Sequence, residues 1–198
     1  MPVAPVYIWL IAGSFQDKSL MASSLAASLG IPHVINTDLI RNILRSNYMH
    51  PPSWLGTSTY LLSPADLQRQ WVAVSAVLED TVRIYRERGE SAILEGMHVS
   101  LDLLQRESQR DNTLVIGLDN QMDYRKRICR KVEEIRLRGS KVNYLEHSSR
   151  VEEIHNILID TVRTVGGEVF EFVQLYEAVH RIAQKAIDLL PFVHRGHD

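Results

Sequence analysis

The stretch Val6-Tyr-Ile-Trp-Leu-Ile-Ala-Gly-Ser-Phe-Gln-Asp-Lys18-Ser19 constrains the fold of this chain more than any other. Its apolar run, Val6 to Ile11, is rich in aromatic and β-branched residues and predicts a buried strand. Ala12-Gly13 breaks that run, and Lys18-Ser19 opens a segment, Leu20 to Leu29, with helical apolar spacing. A strand, a tight loop and a helix in this order invite comparison with the phosphate-binding pattern G-x-x-x-x-G-K-S/T. There, loop N–H groups turn around phosphate oxygens, the lysine reaches the outer phosphates and the hydroxyl holds Mg²⁺. Lys18 and Ser19 suit the last two roles, and Gly13 and Ser14 are candidate loop contacts. The bland reading makes Lys18 a solvated residue at a helix start.

The glycine positions depart from the pattern. Counting back from Lys18, glycine is expected at 17 and 12, where this chain has Asp17 and Ala12; its loop glycine is Gly13. A non-glycine residue reaches positive φ at a cost, although Asp tolerates it better than most. A carboxylate about 4 Å from a phosphate charge is repelled by roughly 4 kcal/mol at an effective dielectric of 20, less once Mg²⁺ and solvent screen it. The sequence therefore describes a degenerate loop with weakened affinity for a nucleoside triphosphate.

At 198 residues, with 45% hydrophobic and 23% charged residues, the chain has the size and balance of a single globular domain spanning 1–198. Its net charge of −2 argues against broad nucleic-acid or anionic-membrane binding. The single cysteine, Cys129, excludes an intrachain disulfide, and no Cys/His cluster has zinc spacing, so a reducing, cytoplasmic setting is expected. No stretch approaches the ~18 apolar residues of a membrane span.

Further along, Gly30-Ile-Pro32 stops the first helix, and Val34-Ile35 predicts a short strand ending at Asn36-Thr37-Asp38. Thr37 or Asp38 would cap a helix from Leu39 to Arg45, which places Asp38 at a strand's carboxyl end, either as a cap or as a ligand group. Residues 47–64 read as a long loop, either a substrate lid or a plain surface excursion. Ser63-Pro64 opens a long helix to about Arg88, ended by Gly89. Ser91 to Glu95 predicts a buried strand stopping on a charge, with Glu95 a natural metal-side partner for Ser19 and a cation expected nearby. His98 either binds an anion or caps a turn.

Thr113 to Leu118 predicts a fourth strand. The basic run after it includes Arg125, Lys126, Arg127, Arg130, Lys131, Arg136, Arg138 and Lys141, within a lid-like segment at about 120–141. Such a run is either a phosphate-closing lid or a solvated helix face. A helix from about Val142 to Val165, a strand from Glu168 to Phe172, a helix from Gln174 to Leu190 and a frayed tail at 191–198 complete the chain. Alternating strands and helices predict an α/β fold, a parallel five-stranded sheet with helices on both faces and a helical lid.

With those pieces placed, the sequence resembles the 2-phosphoglycerate kinase group of P-loop kinases. The likeness is carried by the loop with Lys18-Ser19, Asn-Thr-Asp38-Leu-Ile-Arg41, Gln70-Trp-Val72, Ile-Leu-Glu95-Gly-Met-His98-Val and Asn143-Tyr144-Leu-Glu146-His147 followed by Arg150 and Ile154. The resemblance implies ATP- and Mg²⁺-dependent phosphorylation of a small anionic, hydroxylated acid or another alcohol. It implies Lys18 on the β/γ-phosphates, Ser19 and Glu95 on the metal and its waters, and Asp38 on the substrate hydroxyl, at a raised pKa or by positioning alone. Arg41 would meet a substrate carboxylate or phosphate, His98 would touch substrate, and Arg127, Arg130 and Arg136 would be lid candidates. Two functions follow from the altered loop: a working kinase, or a non-catalytic descendant that keeps an anion pocket and regulates or binds.

Overall fold

The computed structural model describes residues 4–137 and 144–189. Five strands alternate with helices. β1 (Tyr7–Ile11), β2 (His33–Asn36), β3 (Ala92–Gly96), β4 (Thr113–Asn120) and β5 (Glu168–Phe172) form one sheet in the order β2-β3-β1-β4-β5. Every pairing is parallel, with Leu10 opposite Glu95 and Asn36 opposite Glu95 on its other side. Parallel sheets bury both faces, and each residue of β1 and β3 is buried.

The two faces of β1 seed two cores. Ile8 and Leu10 pack with Met21 and Leu25 of α1 (Lys18–Leu29) and with Ile182 of α8 (Leu175–Asp188). Tyr7, Trp9 and Ile11 pack on the other face with Trp71, Val74 and Leu78 of α4 (Pro64–Arg88) and Leu158 and Val162 of α7 (Ser148–Thr164). Leu103 and Leu104 of α5 (Leu101–Ser108) join that second core. The order β2-β3-β1 brings the carboxyl ends of three strands side by side, which is where open α/β sheets place their ligands.

Several boundaries follow from local chemistry. Gly30 and Gly89 end α1 and α4 in the left-handed conformation, and the Ser63 hydroxyl caps α4 by accepting from Asp66 N at 3.2 Å. The expected cap of α2 (Thr37–Ser46) shifts by one residue: Asn36 Oδ1 accepts from Leu39 N at 2.9 Å, so Thr37 and Asp38 lie in the first helical turn. The stretch 47–64 holds a short helix, α3 (Ser53–Gly56), and a 3₁₀ turn (Thr59–Leu61), because Leu55, Thr59 and Tyr60 are buried, Tyr60 within the second core. Helix α5 had no counterpart in the pattern reading; its cue is Ser100, whose hydroxyl accepts from Leu103 N at 3.3 Å. The basic run forms α6 (Tyr124–Leu137), and α7 starts at Ser148, after the turn at 144–147, instead of near Val142. Arg138, Lys141, Val142, Asn143, Leu190 and the tail lie outside the described residues, as do the side chains of Arg130 and Arg136.

Candidate active site

Two sequence fragments meet residue by residue at the ends of β2 and β3. Asn36 Nδ2 donates to Glu95 Oε1, Thr37 packs on Gly96, and Asp38 faces His98. Thr37 Oγ1 also accepts from His98 N at 3.3 Å. Gly96 has φ 152°, and a Cβ there would stand 1.7 Å from Thr37 Oγ1, so only glycine lets the two fragments close. Glu95 is 2% exposed, and its Oε1 accepts a further hydrogen bond from Ser19 Oγ at 2.8 Å. The first helix is thereby fastened to the strand-end acid.

The Asp38 side chain remains 56% exposed, with Oδ1 at 3.1 Å from His98 Nδ1. Burial of the local surroundings pushes its pKa up. The His98 contact and the charges of His98, Lys18 and Arg41 outweigh that effect and hold it at about 2. Asp38 is therefore a carboxylate at neutral pH, and a raised pKa is not what the surroundings produce.

The loop from Gly13 to Asp17 is clamped by residues of α6, β4 and α7. Phe15 (φ 65°) and Asp17 (φ 54°) are left-handed non-glycine residues, each costing about 1–2 kcal/mol. The amino end of α1 adds its dipole beside this loop. Tyr124 OH donates to Ser14 O at 2.5 Å, Arg127 Nη1 donates to Phe15 O at 3.2 Å, and Asn120 N donates to Gln16 Oε1 at 2.8 Å. Phe15 stacks edge-on against Tyr124 and Tyr144, and Tyr60 against Tyr144. Lys18 Nζ donates to Gly13 O at 2.6 Å. Burial lowers the Lys18 pKa, with Glu95 and Asp38 opposing the shift.

Asp17 does not stand alone. Lys131 Nζ of α6 lies 2.6 Å from Asp17 Oδ1, and Asn120 Nδ2 donates to Oδ2 at 3.2 Å. The carboxylate expected to repel phosphate is thus paired with a cation and drawn toward the end of β4. A cavity of about 550 Å³ collects Ser14 to Leu20, Asp38, Lys131 and Tyr144. Beside it a smaller cavity of about 270 Å³ is lined by Phe15, Asp17, Asn120, Arg127, Phe172 and Val173.

This arrangement has relatives. The chain is 28% identical over 207 residues to a 2-phosphoglycerate kinase of Pyrococcus horikoshii, covering 94% of this chain and 67% of that protein. It is related to the 2-phosphoglycerate kinases. It spans about two thirds of their length, 60% to 67% in the curated relatives it matches. No protein-family model matches it. In fold it is similar to shikimate kinase from Acinetobacter baumannii in complex with shikimate (TM-score 0.55, 15% identity, 93% and 92% of the two chains). It is similar also to a sugar kinase from Janibacter sp. HTCC2649 (TM-score 0.56, 14% identity, 93% and 95%). The sheet and its covering helices are similar to those of these two kinase structures.

The residues singled out in the sequence fall as follows. Ser14, Lys18, Ser19 and Asp38 line one cavity, and Glu95 lies behind Ser19. Gly13 N donates to His155 Nδ1 at 3.2 Å, and a Cβ at Gly13 would meet His155 Cβ at 2.8 Å, so this glycine serves the close approach of α7. His98, with its side chain 1% exposed, stands behind Asp38 and reaches the cavity through it. Arg41 Nη2 donates to Thr57 O at 2.7 Å and Leu55 O at 3.3 Å, anchoring the segment after α2. Arg127 is buried over the Tyr124 ring and grips the loop. Pattern reading placed Lys131 only within a run of charges and missed His155 altogether; their partners are 114 and 142 residues away, so no local spacing announces them. Among the described residues no cluster of three His, Cys, Asp or Glu side chains could hold a metal. Ser19 and Glu95 offer hard oxygens, which suits Mg²⁺ shared with phosphates. No helix among the described residues is long and apolar enough to cross a membrane.

Gly96→Ala should destabilise the protein by about 2–5 kcal/mol in urea unfolding, from backbone strain and the collision with Thr37. His155 supplies a pH test. Burial lowers its pKa below the ordinary 6.5, with the Asp119 contact only partly opposing. The unfolded chain therefore takes up this proton first. The stability contribution is complete above about 6.5 and is lost as pH falls through the lowered native value. Unfolding midpoints should drop between pH 7 and pH 5 in the wild type, and His155→Leu should flatten that slope.

Proposed function

We propose that the protein transfers a phosphoryl group from ATP to the hydroxyl of a small anionic acid, as the names of its 2-phosphoglycerate kinase relatives suggest. One observation carries this reading: Lys18, Ser19 and Asp38 share a cavity, and the Ser19 hydroxyl is bonded to a buried acid at a strand tip. The loop N–H groups and Lys18 would hold the outer phosphates, and Ser19 with Glu95 would hold Mg²⁺ and its waters. The metal, when bound, would neutralise phosphate charge. Asp38 would accept a hydrogen bond from the substrate hydroxyl and orient it for attack. Its low basicity fits a reaction with a loose transition state, in which positioning and charge neutralisation dominate. The smaller cavity, with Phe15, Phe172 and the Asn120 amide, suits the base of the nucleotide.

A second reading keeps the pocket without the catalysis. It is favoured by the inward bonds of the loop: the Gly13 amide is engaged by His155 and the Lys18 ammonium by Gly13 O. Melting temperature separates the two. Millimolar Mg·ATP should raise it clearly in the wild type and not in Lys18→Met, and ADP should form with 2-phosphoglycerate present. A shift with phosphoglycerate or sulfate and none with Mg·ATP would favour the regulatory reading.

The Asp17–Lys131 pair sharpens the test. If Lys131 offsets the loop carboxylate, Lys131→Met should weaken ATP binding about tenfold in the wild type and much less in Asp17→Gly, a coupling read directly from a double-mutant cycle. Equal effects in both backgrounds would remove Lys131 from that role.

A further inference from the structure

The loop after β1 takes a partner from β4, α6 or α7 at each residue from Gly13 to Asp17, and His155 of α7 supplies the first of them. Its side chain is 4% exposed, and both of its ring nitrogens are engaged. Gly13 N lies 3.2 Å from Nδ1, and Asp119 Oδ1 lies 3.3 Å from Nε2. A backbone N–H can only donate, so Nδ1 accepts and carries no proton. The hydrogen of the ring is then on Nε2, where it is donated to the Asp119 carboxylate. Between them the two neighbours select one neutral tautomer.

Gly13 is held at both of its backbone groups, since its carbonyl receives Lys18 Nζ at 2.6 Å. The N–H groups that follow are in a different state. Among the described residues, the backbone amides of Ser14 through Leu20 donate no hydrogen bond. A run of free donors thus begins immediately after the amide that α7 occupies. Peptide units are rigid plates joined at two dihedrals, so fixing the plate at Gly13 constrains the direction of those next to it.

The same bond is open to acid. Burial holds the pKa of the His155 ring below its ordinary value; Asp119 of β4 opposes that effect, while Arg127 of α6 and Lys18 of α1 add to it. The Tyr124 ring of α6 lies 6.1 Å away. At neutral pH the ring is neutral and the bond to Gly13 stands. A second proton would go to Nδ1, set two N–H groups face to face and break it.

We propose that His155 is a positioning residue for anion binding: kept in one tautomer by Asp119, it pins the Gly13 amide and so presents the free amides of Ser14 to Leu20 to phosphate oxygens. The role rests on reading this loop as a phosphate cradle, whereas the tautomer does not.

Nitrogen-15 spectra of the histidine rings in the intact protein read the tautomer, with His155 assigned by its absence in His155→Asn. At pH 7 Nε2 should carry the proton and Nδ1 none; a proton on Nδ1 overturns the proposal. Binding is then measured with Mg·ATP and with inorganic tripolyphosphate. His155→Leu, which offers no acceptor, should weaken both about tenfold. His155→Asn sets a carboxamide oxygen near the place of Nδ1 and should stay within about threefold of the wild type at pH 7. Should His155→Leu fail to fold, acid makes the same deletion in the wild type. Between pH 7 and pH 5 its affinity should fall in step with protonation of the ring, beyond any fall in His155→Asn, which keeps every other titrating group. Equal affinity in all three proteins, or parallel acid profiles in wild type and His155→Asn while the ring titrates, removes the role. A loss in His155→Asn as large as in His155→Leu would make the effect one of packing and overturn it too. A wild type that shows the expected tautomer and binds neither probe contradicts the phosphate-cradle reading, and the role falls with it.

Discussion

Glu95 is the residue on which the remaining geometry depends. Removing a carboxylate from water costs several kcal/mol unless donors and cations replace the lost hydration. Ser19 and Asn36 donate to it, and the Lys18 ammonium lies within its field. Those three groups come from the helix after β1 and from the end of β2, so satisfying one buried charge fixes the relative placement of three chain segments. Asp38 and His98 follow from the same closure, because Thr37 cannot sit on Gly96 without carrying its neighbour to the cavity rim.

The loop illustrates a different balance. Two side-chain-bearing residues hold left-handed backbone where glycine would hold it more cheaply, and the surrounding clamps supply the compensation: Tyr124, Arg127 and Asn120 each bind the loop from outside. Strain that is actively maintained beside a helix amino terminus is the pattern of a binding site. The charge of Asp17 is met by Lys131, a residue of the helix that follows β4. Loop and helix are therefore electrostatically coupled, and a substitution on one is felt on the other.

Much of this was legible in the chain. The switch from an apolar run to helical spacing located β1 and α1, Gly89 and Ser63-Pro64 bounded α4, and the charge at the end of an apolar run marked Glu95 as a strand tip. Local rules reach as far as local physics. They could not order the strands, since pairing of β1 between β3 and β4 depends on crossovers that no single segment encodes. They read 47–64 as loop because its anchors, Gln70 and Arg41, lie outside it. They weighed Asp17 as an isolated charge because its partner is on another helix. Asp38 was recognised from its motif, but the direction of its pKa depended on His98, Lys18 and Arg41 converging in space.

Whether the altered loop cradles phosphate is read most directly from its own backbone. In a proton–nitrogen correlation spectrum titrated with Mg·ATP, the amide signals of Ser14 through Ser19 should move most, together with the side-chain signals of Lys18. Saturation with those amides unmoved, and the large changes elsewhere on the surface, would contradict a phosphate cradle at the end of β1.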